Sequence, residues 1–496
     1  MTETKFSSAD SHVGAQNKSI FSIAELGKEL KIPLVLTYKL VKWGVIGTVL
    51  AADGTIQVTY DELIKTKDFL KSPWTRTKLY WKSLGPGLIT GASDDDPSGI
   101  ATYSSVGAKF GLGLLWMALW LLPMMMAIQE ACARIGIVTN KGLTGVLLKH
   151  YKKYIVATIV SLLIVANVAN IGADIGAMAA SLQMLVSIDF IPAAISFAVV
   201  IILLEIFVPY EKYFQILKWL SLVLFAYIAT VIIIHPDWLT VGKELLSPKF
   251  TFSKEYIFAM IAFFGTTITP YLFFWQASEE VEEGRKEPGT AMDLKKPAKI
   301  KKRMITMRND VKSGMIFSNL VTIFIIVTAA EVLFKNGITS IDTAEQAAKA
   351  LQPLAGDHAY ILFAAGIIGM GFMAVPILAG ACAYALSELM GWKEGLNYKF
   401  SKAKGFYIVI TLSVLVGLLL NFAGINPITA LYYAAWLNGA IALPLMIVIL
   451  TIGGSKKIMG ASTNPLWVRV FGWLAVLAMG AGLTATILMS WGPWAK

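Results

Sequence analysis

Asp94, Asp95 and Asp96 are three consecutive carboxylates inside the otherwise small and apolar stretch GLITGASDDDPSGIATYSSVGA, Gly87 to Ala108. An Asp at the centre of a membrane helix costs about 2.5–3.5 kcal/mol on an insertion scale, and a Leu or Ile recovers only about 0.5 kcal/mol. Three in a row therefore belong beside a water-filled cavity or a cation. Pro97 lacks a backbone donor and disfavours helix at Asp96, and Gly99 loosens the chain just beyond. The stretch reads as a helix broken near the midplane, with freed carbonyls next to carboxylates. Carbonyls at that depth are tolerated only where they are buried or line a cavity. Such a set is all hard oxygen, which suits Mg²⁺, Ca²⁺ and Mn²⁺. The competing arrangement is a loop between two shorter segments, with Gly85–Ser93 re-entrant because it is too short to span alone.

A second stretch, AMIAFFGTTITPYLFFWQASEEVEEG from Ala259 to Gly284, repeats the device with Gly265, Thr266, Thr267, Thr269 and Pro270 at its centre. Gly and Pro alone can merely kink a membrane helix. The pairing is what counts: the second break falls five apolar segments after the first. A five-helix unit repeated once must be inverted, because five crossings change sides. Matched broken segments in two halves are the best sequence pointer to a transporter's binding site.

These breaks sit in a chain of 496 residues that is 56% hydrophobic and only 15% charged, against about 25% charged in soluble domains. It reads as an all-α polytopic membrane protein. Eleven apolar segments lie near 85–108, 113–138, 154–185, 189–208, 213–235, 255–278, 312–334, 358–389, 405–421, 426–451 and 467–491. Most match the roughly 20 residues needed to span, and the third and eighth are long enough to tilt. Lys and Arg concentrate in alternate loops, above all from Arg285 to Lys312 between segments six and seven. Positive loops stay in the cytoplasm, so the amino terminus is expected inside and the carboxyl terminus outside, in a cell membrane. That pattern accounts for the net charge of +11, and nucleic acid is not an expected partner; the six–seven loop could meet anionic lipid, although orientation alone explains it. The start, MTETKFSSADSH, has no apolar region, so no cleavable signal is expected. Residues 1–75 read as a small cytoplasmic domain of two short helices, the first capped by Ser22, then a turn at 52–54, a strand and a helix. This resembles a helix-turn-helix of the excisionase type; a structural or regulatory cap is the simpler role. Cys132 and Cys382 lie in apolar runs and are read as packing residues.

Around GPGLITGASDDDPSGI the sequence resembles the first helix of the Nramp family of divalent-metal transporters, which has Asp-Pro-Gly-Asn there. TITPYLFFWQ falls where that family has Met-Pro-His-Asn. The resemblance implies a leucine-transporter-type fold over residues 80–491, with inverted repeats at 85–235 and 255–451 and an extra helix at 467–491. It implies Asp96 and the carbonyls of Ser93 and Thr266 as metal ligands, with Asp95 as a second carboxylate and the Thr269 hydroxyl as a further candidate. Asp94 is expected in an aqueous vestibule, and Gly99, Asp174, Tyr271, Gln276 and Asn438 around the site or its pathway. Glu279, Glu280, Glu282 and Glu283 read as a solvated run near the exit, and Glu130 and Glu205 as paired with neighbours. The departures from the family pattern all have physical consequences. Gly99 takes the Asn position, which removes a ligand and makes space. Thr269 takes the Met position, which removes a soft thioether. Ser98 replaces a Gly, Tyr271 stands where the family has His, Gln276 where a second His is common, and Ala177 where segment three has Glu.

A wider all-oxygen site suits a partly hydrated Mg²⁺, which gives up water reluctantly. The pattern thus resembles the divergent magnesium-transporting branch, with Mn²⁺ also carried. The histidines are only His12, His150, His235 and His358, all away from segment centres, so weak or absent proton coupling is expected. The membrane potential alone gives about 2.3 kcal/mol per charge per 100 mV. The alternatives are a proton-coupled Mn²⁺/Fe²⁺ transporter, an organic-cation or amino-acid carrier of the same fold, a channel, and a metal sensor that binds without transporting. An enzyme is not expected, since HExxH, GxSxG and Walker motifs are absent from the sequence. Nor is a cofactor, the metal being cargo.

Overall fold

The computed structural model describes residues 20–30, 37, 40–41, 46–50, 56–71, 91, 93–208, 221–286 and 297–491. The chain divides into two compact units, 1–85 and 86–496.

In the first unit, strand β1 (Ile20–Ser22) and strand β2 (Val49–Leu50) flank strand β3 (Ile56–Thr59), both antiparallel to it. Ser22 caps the helix Ile23–Glu29 reciprocally: Glu25 N–H donates to Ser22 Oγ at 3.3 Å, and Ser22 N–H to the Glu25 carboxylate at 2.9 Å. The expected strand and helix are β3 and Tyr60–Lys71. Strand β1 is an addition to the sequence reading. Phe21, Leu26, Leu40, Ile46, Val58 and Leu63 form a small core. Most of the expected second helix, and the turn at 52–54, lie outside the described residues.

The second unit is helical. Among the described residues nine helices are long and apolar enough to cross a membrane. They match segments two, three, four and six to eleven, many to within a few residues: segment four, expected at 189–208, is Phe190–Phe207. Segment one contributes the helix Pro97–Phe110, and segment five the shorter apolar helix Leu222–Ile234. The first part of segment one, and 209–220 before segment five, lie outside the described residues. Segment seven differs from expectation. Its helix begins at Pro297, not near 312, and runs to Val332. Pro suits the first turn of a helix, where its missing N–H is not needed. The basic stretch after it is therefore helix rather than loop.

Proline alone does not break a helix here. Pro123, Pro376 and Pro444 lie inside continuous helices. Segment six, by contrast, stops at Thr267, leaves Ile268 and Thr269 non-helical, and restarts at Pro270. Its first half is held tightly against segment ten: a Cβ built on Gly265 would lie 2.1 Å from the Ala435 carbonyl oxygen and 2.3 Å from the Gly439 nitrogen. Only glycine permits that approach, and it fixes the height of the break relative to segment ten.

Candidate cation site at the paired helix breaks

A helical N–H bonds the carbonyl four residues earlier. The residue four after Ser93 is Pro97, and the residue four after Thr266 is Pro270; neither has an N–H. Each proline therefore leaves one carbonyl without a helical donor, and these are the two carbonyls that the resemblance implicated.

Asp96 ties the first break to its neighbours. It sits in extended backbone and caps the helix starting at Pro97, its Oδ1 accepting from Gly99 N–H at 2.8 Å and Ser98 Oγ at 2.6 Å. Its Oδ2 accepts from Asn170 Nδ2 of segment three at 3.1 Å. The Tyr271 hydroxyl of segment six is 3.5 Å from the same oxygen but only 2.9 Å from the Ser93 carbonyl. With one proton to give, Tyr271 serves Ser93. Asn170 in turn accepts from Asn438 Nδ2 of segment ten at 3.4 Å. Segments one, three, six and ten thus meet at Asp96.

Asp94 and Asp95 face the other way. Ser318 Oγ of segment seven donates to Asp94 Oδ2 at 2.9 Å and lies 3.4 Å from Asp95 Oδ1. Asp94 is 1% exposed, so the expected aqueous vestibule is not its surroundings in this conformation; segment seven covers it. Gly99 does not open a hollow either. A Cβ there would lie 3.1 Å from the Asp94 carbonyl oxygen, 3.4 Å from Thr266 Oγ1 and 3.4 Å from the Tyr103 ring. The two breaks meet across this glycine.

The environment is oxygen-rich and under-satisfied. Asp94 Oδ1, Asp95 Oδ2, both oxygens of Asp174, the hydroxyls of Thr266 and Thr269, and Asn438 Oδ1 are buried without a hydrogen-bond partner. A buried acceptor left unpaired costs about 1–3 kcal/mol, so such a concentration marks a place for a positive guest. Among the described residues no group of three or more His, Cys, Asp and Glu side chains converges to hold an ion alone. A cation here would draw on carbonyls, hydroxyls and its own water as well.

Other expected residues lie elsewhere. Gln276 Nε2 donates to Glu280 one turn along at 3.1 Å, away from the break. The acidic run is not a solvated face: Glu279, Glu280 and Glu282 are buried. Arg303 Nη2 donates to the Glu280 carbonyl at 2.5 Å, and Glu282 accepts from Tyr384 hydroxyl and from Leu396 N–H. Glu130 is paired, as expected, with Arg134 at 3.0 Å and with Arg308 Nη2 at 3.0 Å. Glu205 forms no ion pair with a described residue. Cys132 and Cys382 are buried free thiols. His150, His235 and His358 lie at helix ends, and His12 lies outside the described residues.

Sequence reasoning passed over Asn170 and Ser318. Asn170 carried a usable signal, being one turn before Asp174 and one turn after Asn167 on the same face of segment three. Ser318 carried none.

A family model described as natural resistance-associated macrophage protein-like, Nramp, matches residues 87–490. The divalent metal cation transporter MntH of Yersinia enterocolitica is 26% identical over 429 residues, spanning 84% of this chain and 97% of its own length. The fold is that of the Eremococcus coleocola manganese transporter, at a TM-score of 0.64 and 18% identity over 84% of this chain and 89% of that one. Mhp1, a nucleobase-cation-symport-1 family transporter in a closed conformation with bromovinylhydantoin bound, superposes at a TM-score of 0.50 and 12% identity over 82% of this chain and 92% of its own.

Proposed function

The chain belongs to the Nramp family, and from that premise we propose that it carries divalent metal cations across a membrane by alternating access, Mg²⁺ first and Mn²⁺ with it, with weak or no proton coupling. The observation that carries this reading is the group of unpartnered buried oxygens around Asp96 and the two prolines. A cation of high charge density satisfies them together, whereas the carboxylates would repel an anionic substrate. Ligand softness supports Mg²⁺: Thr269 stands at the second break, and among the described residues Asp96 hydrogen-bonds to neither sulfur nor imidazole. In the cycle, Asp96 and the Ser93 and Thr266 carbonyls hold the ion and Thr269 contributes an oxygen directly or through water, whereas Asp95, expected from the sequence as a second ligand, turns toward Ser318 of segment seven. Tyr271 yields the Ser93 carbonyl as the ion arrives. Asp94, Gly99, Asp174 and Asn438 shape the surroundings, whereas Gln276 belongs to the pathway beyond. The amino terminus faces the cytoplasm and uptake runs inward, following the basic loops.

The likeness to a manganese transporter favours a second reading, a Mn²⁺ carrier, which we weigh in its proton-coupled form. Proteoliposomes separate the two. Mg²⁺ influx is measured under an inside-negative potential with a pH-sensitive dye inside, alongside Asp96→Ala. The proposal expects Mg²⁺ influx, lost in Asp96→Ala, without acidification. Mn²⁺ influx with acidification and no Mg²⁺ influx would overturn it. Binding without influx of either ion would make the protein a sensor.

A further inference from the structure

Asp94, Asp95, Asp96 and Asp174 are all buried, and no described Lys, Arg or His forms an ion pair with any of them. Hydrogen bonding turns these carboxylates to different sides. Asp96 looks toward segments three and six, through Asn170 and Tyr271. Asp94 and Asp95 look toward segment seven and share Ser318. Ser318 has a single proton and cannot satisfy both. Asp94 Oδ1 and Asp95 Oδ2 remain without a partner, although both side chains are fully enclosed. A further unpartnered and buried hydroxyl, Thr266 Oγ1, faces the Asp94 carbonyl across Gly99.

We propose that Asp94 and Asp95, with the Ser318 oxygen, hold a second divalent cation distinct from the one at Asp96. The proposal rests on the divalent-cation reading above and deepens it. Hard oxygen ligands of this kind fit Mg²⁺ or Mn²⁺. The second ion would wait on the segment-seven side of the break while the first is held at Asp96.

The test counts ions. Purified full-length protein in detergent is brought to equilibrium with saturating Mn²⁺, and bound metal per chain is measured by mass spectrometry. The wild type is expected to hold two ions. Asp95→Asn and Asp96→Asn should each hold one, and Ser318→Ala should weaken the second ion roughly tenfold, the effect of about 1.4 kcal/mol. Monodisperse elution and an unchanged helical spectrum establish that each variant folds, and Asp94→Asn serves if Asp95→Asn does not. One ion per wild-type chain together with active uptake would overturn the proposal and leave the transport reading standing. Two ions retained in Asp95→Asn would also overturn it. No bound ion and no uptake would overturn the divalent-cation reading itself.

Discussion

Tyr271→Phe removes one oxygen and leaves the ring volume unchanged. In the structure that hydroxyl gives its proton to the Ser93 carbonyl at 2.9 Å, and Pro97 prevents any helical N–H from replacing it. The variant therefore takes a hydrogen-bond donor from a buried carbonyl at a cost of about 1–3 kcal/mol in the ion-free protein. If a cation that ligates Ser93 takes the place of this hydroxyl, its removal also removes a competitor. The variant should bind Mg²⁺ more tightly by up to the same amount, about five- to 140-fold at 1.4 kcal/mol per decade. Thermal melting in detergent with and without MgCl2, together with titration calorimetry, reads both effects. The ion-free melting point should fall, and the rise on adding Mg²⁺ should exceed that of the wild type. If instead the hydroxyl steadies water on the ion, affinity would drop in the variant. That result, or an unchanged ion-free melting point, would refute the competition between Tyr271 and cargo for Ser93.

Three further perturbations follow from the packing and charge around the site. Gly265→Ala places a methyl 2.1 Å from the Ala435 carbonyl; overpacking typically costs about 1–3 kcal/mol, and with backbone on the other side the upper end applies, visible as loss of the monodisperse peak in size-exclusion chromatography. Glu130→Gln leaves Arg134 and Arg308 without their shared carboxylate, and breaking a buried pair costs about 3–5 kcal/mol, so the melting point should fall far more than for Lys109→Gln, whose pair with Glu255 is exposed. Burial, and then the nearby Glu388 carboxylate, pushes the Glu394 carboxyl in the loop after segment eight up to about 8. Its folded pKa lies above the unfolded value near 4.3, so its contribution to stability is present in full below about pH 4 and is lost as pH rises toward 8. Melting curves from pH 5 to 9 should show the wild type declining and Glu394→Gln declining less.

The legible parts of this molecule are those where the membrane imposes a large penalty. Apolar runs end where the bilayer ends, which is why segment four was placed within a residue at each end. Asp96 stood out because a carboxylate is expensive in a membrane helix unless it has a task, and Pro97 and Pro270 because they fall at matched positions in two segments, whereas Pro123, Pro376 and Pro444 pass through continuous helices. Asn170 was overlooked although it shares a face with Asp174, because Asn is cheap enough in a bundle to pass as interhelical glue. Ser318 left no trace, since a serine can satisfy itself on its own helix. The early start of segment seven was hidden because a basic stretch reads as a loop. What holds that stretch in place, Arg308 against Glu130, joins residues 178 positions apart, and no local pattern announces such a pair. Strand β1 has three residues, too few for an alternating pattern, and exists because β3 pairs with it.

The two prolines have a consequence for how the cycle can be timed. A helix interrupted by strain or by a lost side chain can heal, and a carrier built that way would gain and lose its coordinating groups as the helix wound and unwound. The interruptions here are written into the covalent chain. No rearrangement supplies an N–H at Pro97 or Pro270, so the Ser93 and Thr266 carbonyls stay without a helical donor in inward-facing, outward-facing and closed states alike. On the proposed function, the two carbonyls are permanent fixtures, and what would alternate is the door: whether Tyr271, segment seven or bulk water reaches them first. Intrinsic affinity measured from the two sides of the membrane should then differ little, and the direction of net flux should follow the gradient rather than a change in the grip of the site.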